Sequence, residues 1–83
     1  MGRGFLRSPM NYTKIKIVFK DWTEKYIDED EVVVYQLSGD YYYISYLNDN
    51  GFLHRTDGPA VEWASGDKSW WVYGVENTTE HNK

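Results

Sequence analysis

Residues 53–74 read LHRTDGPAVEWASGDKSWWVYG, and the fold turns on how this stretch is parsed. Two runs rich in Val, Trp and Tyr, residues 60–64 and 68–73, flank Ser65-Gly66-Asp67. β-branched and aromatic residues on either side of a Gly-containing turn predict an antiparallel hairpin. Thr56-Asp57-Gly58-Pro59 interrupts the chain ahead of it and leaves a short strand over 52–55. A two-residue Gly66-Asp67 loop pairs Trp63 with Trp70 and Val61 with Val72 on one face, the expected core face. Glu62, Trp71 and Tyr73 then occupy the opposite face.

Working outward, residues 41–47 and 32–37 read as two more strands, joined by a second Ser-Gly-Asp at 38–40. Val34, Ser38, Gly39, Asp40 and Tyr46 recur as Val61, Ser65, Gly66, Asp67 and Tyr73, and Asp30 as Asp57, which suggests one hairpin unit used twice. The greasier side of the first copy (Val33, Tyr35, Leu37, Tyr42, Ile44, Tyr46) has the parity opposite to Trp63 and Trp70. Either the two turns differ by one residue or the sheet is apolar on both sides. Further back, Lys14, Lys16 and Lys20 interleave with Ile15, Ile17 and Phe19, the period of a half-buried strand. Between these segments, Asp21 and Glu24 resemble a capping box, and Trp22 and Tyr26 stand four apart. A short helical turn near 21–27 and an acidic loop through Glu31 both fit. The expected fold is therefore mainly β. It is a small single antiparallel sheet or meander built from related hairpins at about 30–47 and 53–74. Residues 1–11 form a poorly ordered leader, 12–75 the single domain, and 76–83 a frayed tail.

With 83 residues the chain supports one core, and its 18% aromatic content supplies the buried area that so small a domain otherwise lacks. No run approaches the length of a membrane span. The absence of cysteine removes disulfides and thiolate metal sites and fits a reducing cytoplasm. A net charge of −4 argues against holding nucleic acid through its phosphates.

The 53–74 stretch resembles short repeats of the pattern His-Arg-x-Asp-Gly-Pro-Ala, an aromatic, Gly, then Trp and Gly. Such repeats occur in small proteins of tailed bacteriophages and some large viruses and are similar in spirit to MORN-type hairpin repeats. The matching positions are His54, Arg55, Asp57, Gly58, Pro59, Ala60, Trp63, Gly66, Trp70, Trp71 and Gly74. They cover about a quarter of the chain, with a weaker echo at 30–46. After Gly74 the chain departs from the pattern, which ordinarily continues into another His-Arg unit. The resemblance implies a phage-encoded binding protein working in the cytoplasm of a bacterial host, without naming its partner.

Catalytic chemistry finds little support. His54 and Arg55 are adjacent on a strand and point to opposite faces, and no Ser or Cys nucleophile accompanies them. His54, Arg55, Asp57, Gly58, Pro59 and Gly66 read instead as structural, an ion pair and turn bonds holding a corner. Asp28-Glu29-Asp30-Glu31 lacks the spacing and central Gly of a calcium loop, so no metal or other cofactor is expected. The expected function is non-enzymatic: a module that captures a host protein and inhibits or modulates it by occlusion, the host's anti-phage defence being one setting. Trp71 and Tyr73 serve as anchors, with Glu62, Asp28, Glu29 and Asp30 as the charged contribution. Two alternatives stay open. One is sequestration of a nucleotide signal between aromatic rings, for which Arg55 is the only base between Lys25 and Lys68. The other is a structural module that self-associates, as a homodimer, through its edge strands.

Overall fold

The computed structural model describes residues 11–77. It is mainly β, an antiparallel five-stranded sheet with one helix and a separate two-stranded hairpin. The sheet contains β1 (Lys14–Val18), β2 (Glu24–Ile27), β3 (Tyr43–Leu47), β4 (Val61–Trp63) and β5 (Lys68–Ser69), in the order β2-β1-β3-β4-β5. The helix α1 (Glu29–Ser38) crosses between β2 and β3, and the small hairpin pairs β6 (Trp71–Val72) with β7 (Val75–Glu76).

Antiparallel register places directly opposed residues on one face. Ile15 lies opposite Ile27 and Tyr46, Ile17 opposite Lys25 and Ile44, and Ile44 opposite Glu62. The alternation read from Lys14 onward thus turns the isoleucines onto the face covered by α1. Val32 of the helix and Tyr41 complete that core, with Tyr12, Phe19 and Tyr35 packed at its edge. Each large apolar side chain buried there contributes about 1.5–3 kcal/mol of transfer free energy.

Three sequence expectations give way. Residues 21–27 are not helical: they form the β1–β2 turn and β2. The strand expected over 32–37 is α1, so the 30–47 hairpin is a helix followed by β3. The physical reason is local capping at both ends of the segment. Asp28 stands at the N-cap with extended backbone, and the Glu31 carboxylate accepts its N–H at 2.9 Å. Glu29, Asp30 and Glu31 place negative charge where the helix macrodipole favours it. At the other end Gly39 takes the left-handed conformation (φ 69°) and donates to the Tyr35 carbonyl at 2.9 Å. Moreover β1 and β4 occupy both edges of β3, so the valines cannot pair with the strand that the hairpin reading assigned to them. β-propensity measures fit to a pleated neighbour, and the expected neighbour, β3, is already paired on both sides. The repeated Ser-Gly-Asp consequently does two different jobs, ending a helix at 38–40 and closing a hairpin at 65–67.

The third correction concerns register. Val61 faces Ser69 and Glu62 faces Lys68, three residues short of the expected pairing. The loop closes with the Trp63 N–H on the Asp67 carbonyl and the Gly66 N–H on the Trp63 carbonyl, both at 2.9 Å, leaving Gly66 at φ 103°. An odd shift exchanges faces. Val61 stays buried, but Trp63 emerges 41% exposed and Val72 is exposed, while Glu62 turns toward α1. The expected second strand also breaks at Trp70, and its remainder pairs with Val75–Glu76 rather than with β4. Glu76, expected at the start of the frayed tail, is therefore in a strand. Asn11 is anchored too, its Oδ1 accepting the Thr56 N–H at 3.2 Å. The rest of the leader and residues 78–83 lie outside the described residues. Among the described residues no helix is long and apolar enough to cross a membrane.

Candidate functional site

The Asp-Gly-Pro corner is built around Arg55. Its guanidinium lies 4.0 Å from the centroid of the buried Tyr46 ring. Nε donates to Asp57 Oδ1 at 3.0 Å, and Nη1 donates to the Pro59 carbonyl at 3.2 Å and to Glu62 Oε2 at 3.4 Å. The other Glu62 oxygen accepts from Gln36 of α1 at 3.0 Å, so the network ties the corner to the helix. A Cβ at Gly58 would lie 2.9 Å from Arg55 Cζ, so a side chain there would displace the guanidinium from this network. Ala60 is fully buried beyond Pro59. Burial pushes the Asp57 carboxyl upward, but the hydrogen bond and charge of Arg55, with help from Asn11, outweigh it and hold the group below its ordinary value.

His54 is 1% exposed. Its Nδ1 accepts the Tyr73 N–H at 2.9 Å and its ring stacks on Tyr73 at 4.3 Å. The neutral ring therefore carries its proton on Nε2, which has no partner among the described residues. Because Asp57 is engaged by Arg55 and not by His54, the two do not form a base and its orienter. His54, Arg55, Asp57, Gly58 and Pro59 thus act together as a structural corner, and Tyr73 is half of the turn (φ 51°) that the histidine pins.

The remaining anchor and charge residues do not converge. Glu62 is spent on Arg55 and Gln36. Asp28, Glu29 and Asp30 lie at the start of α1, on the helix side of the sheet, where Glu29 accepts a hydrogen bond from the Tyr12 hydroxyl. Trp71 lies on the other side, half-buried, with Nε1 donating to Ser69 Oγ at 3.0 Å. There it borders a groove of about 370 Å³ together with Tyr43, Leu47, Leu53, Trp63 and Lys16. Tyr43 and Trp63, opposite one another on β3 and β4, bring their rings to 4.6 Å. Lys16, the one base lining the groove among the described residues, is paired with Glu24 at 3.5 Å.

Sequence reasoning missed Tyr43 and Trp63 as a surface pair, because the face of Trp63 depends on a loop length that Ser-Gly-Asp leaves open. It also passed over Trp22 as a surface ring. Trp22 is 68% exposed at positive φ (72°), its ring 4.6 Å from that of Tyr42. Comparison with protein-family models, with curated proteins and with solved structures returns no match for this chain.

Proposed function

We propose that this chain is a non-catalytic protein-binding module that inhibits or modulates its partner by covering part of the partner's surface. The observation that carries the reading is the sheet face turned away from α1, where Tyr43, Trp63 and Trp71 surround a shallow apolar groove. Exposed aromatic rings held on a rigid sheet supply large desolvated area at small entropic cost, the composition of interface hot spots. With its base already paired to Glu24, the groove offers an anionic nucleotide signal little to bind, which favours a protein ligand. The phage-type motif at 53–74 supports, by resemblance, a partner belonging to a bacterial host and a cytoplasmic site of action.

Trp63→Ser tests the reading, because Trp63 is the most exposed ring of the groove and its loss spares the core. Tagged wild type should retain a defined host protein from bacterial lysate and lower that protein's activity when the two are recombined. The folded Trp63→Ser chain should lose both effects. Equal capture by wild type and variant would remove the groove from the function.

A further inference from the structure

The last rung of the sheet carries Glu24, Val18, Tyr43 and Trp63, and three connections lie beyond it: residues 19–23, 39–42 and 64–67. The first and third are the same loop in backbone terms. In each, the first residue's N–H donates to the fifth's carbonyl (Phe19 to Thr23, Trp63 to Asp67), and the fourth's N–H donates to the first's carbonyl (Trp22 to Phe19, Gly66 to Trp63). In each, the fourth residue is left-handed. One loop fills that place with Gly66, which adopts it freely. The other fills it with Trp22, against the steric preference of a bulky residue. The loop does not need an indole, so the reason for Trp22 lies in its side chain.

That side chain stacks on Tyr42, itself exposed. Next to the pair is a hollow of about 340 Å³ lined by Phe19, Lys20, Asp21, Thr23 and Asp40. Asp21 accepts both the Thr23 N–H (3.1 Å) and the Thr23 hydroxyl (2.6 Å) on the same oxygen, Oδ1. Those bonds hold its carboxyl below the ordinary value, and the residue is exposed. Among the described residues neither Asp21 nor Asp40 has an ion pair, and Lys20 is the only base in the hollow. The negative end of α1 points to the same pole, with no basic residue in its last turn.

We propose that the Trp22–Tyr42 pole is a docking point for an arginine-bearing basic segment of a protein partner, the guanidinium lying over the indole and pairing with Asp21 and Asp40. The inference rests on the binding-module reading and names its partner's chemistry. Charge complementarity and ring stacking select this occupant, because a planar cation satisfies both at once. The molecule already builds such a clamp internally, where Arg55 lies on Tyr46 between Asp57 and Glu62.

The probe is a short oligoarginine peptide, with an uncharged peptide of equal length as control, titrated against the whole chain by calorimetry. Trp22→Gly should fold and melt no lower than wild type, since glycine suits the left-handed position, yet bind the peptide about tenfold more weakly. Asp21→Asn with Asp40→Asn should weaken binding about fivefold and flatten its salt dependence. A control variant, Glu29→Gln with Asp30→Asn, should bind as wild type does. Unchanged affinity in Trp22→Gly, or loss confined to the helix-acid control, would overturn the proposal. If Trp22→Gly fails to fold, Asp40→Asn alone decides, because Asp40 is exposed and its carboxylate holds no other group among the described residues. This failure is distinct from failure of the groove, which is read from Trp63→Ser and host-protein capture.

Discussion

Replacing Arg55 with lysine keeps the charge and removes the planar fork, and the structure indicates what that costs. The Arg55 and Glu62 side chains are 19% and 18% exposed, so their bond is largely shielded from solvent. A charge-assisted hydrogen bond in that setting contributes about 1–2 kcal/mol. Stacking on the buried Tyr46 ring adds about 1 kcal/mol. The Asp57 bond adds less than about 0.5 kcal/mol, because that carboxylate is mostly exposed. A lysine ammonium reaches one of these acceptors and recovers roughly 1 kcal/mol, which leaves Arg55→Lys destabilised by about 1.5–2 kcal/mol. For a domain of this size, that lowers Tm by roughly 6–16 °C. Urea and thermal unfolding at neutral pH, followed by circular dichroism, read the change directly. A double-mutant cycle with Glu62→Gln should show a coupling of about 1 kcal/mol. A loss below about 0.5 kcal/mol, or strict additivity in the cycle, would refute the account of the corner as an arginine-centred network.

Two further outcomes follow from backbone and burial. Gly39→Ala and Gly66→Ala should each cost about 1–2 kcal/mol by urea unfolding, purely through the left-handed backbone, since a methyl group meets nothing at either position. A cost near zero at Gly66 would mean that the hairpin loop relaxes to another type. Burial, with a smaller push from Glu62, raises the phenol pKa of both Tyr41 and Tyr46 above the ordinary value. The unfolded chain therefore ionises first as pH rises past about 10, and stability present below that value is lost above it. Unfolding midpoints should fall between about pH 10 and 12, in step with the phenolate absorbance of these two residues, and Tyr46→Phe should blunt the fall.

How much of this was legible differs from element to element. β1 was read correctly because the isoleucines at 15 and 17 alternate with lysines, and a period of two survives any neighbour. The turn at Ser65–Asp67 was legible for the same reason, in that its residues favour tight bends wherever they occur. The helix was not, although its signals were present: Asp28 and Glu31 three apart, an acidic first turn, and Gly39 at the end. They were outweighed by Val32, Val33 and Val34, whose β-branching is informative only where the expected partner strand is open to receive them. The capping pattern was recognised seven residues too early, at Asp21 and Glu24, where the chain instead makes a hairpin.

The candidate site divides along the same line. The motif residues His54, Arg55, Asp57, Gly58 and Pro59 were assigned a structural role from their order alone, and the coordinates supply the partners. The faces of the second hairpin were misjudged because a three-residue rather than a two-residue loop at 64–66 shifts the register by an odd number. That shift moves Trp63 from core to surface and turns Glu62 from surface to helix.

By itself, the order of residues determined that this is a small, mainly antiparallel β domain with Arg55 and Gly58 set for a tight corner. Those features depend on local periodicity and on bond geometry within a few residues. Which aromatic rings face solvent, and which carboxylates remain unpaired beside them, was decided only by the tertiary structure. Strand pairing is a contest between distant segments for the same edges. With β1 and β4 on both sides of β3, the valines were shut out of the hairpin expected there and the capped segment formed a helix, while the sheet face away from α1 was left to Tyr43, Trp63 and Trp71.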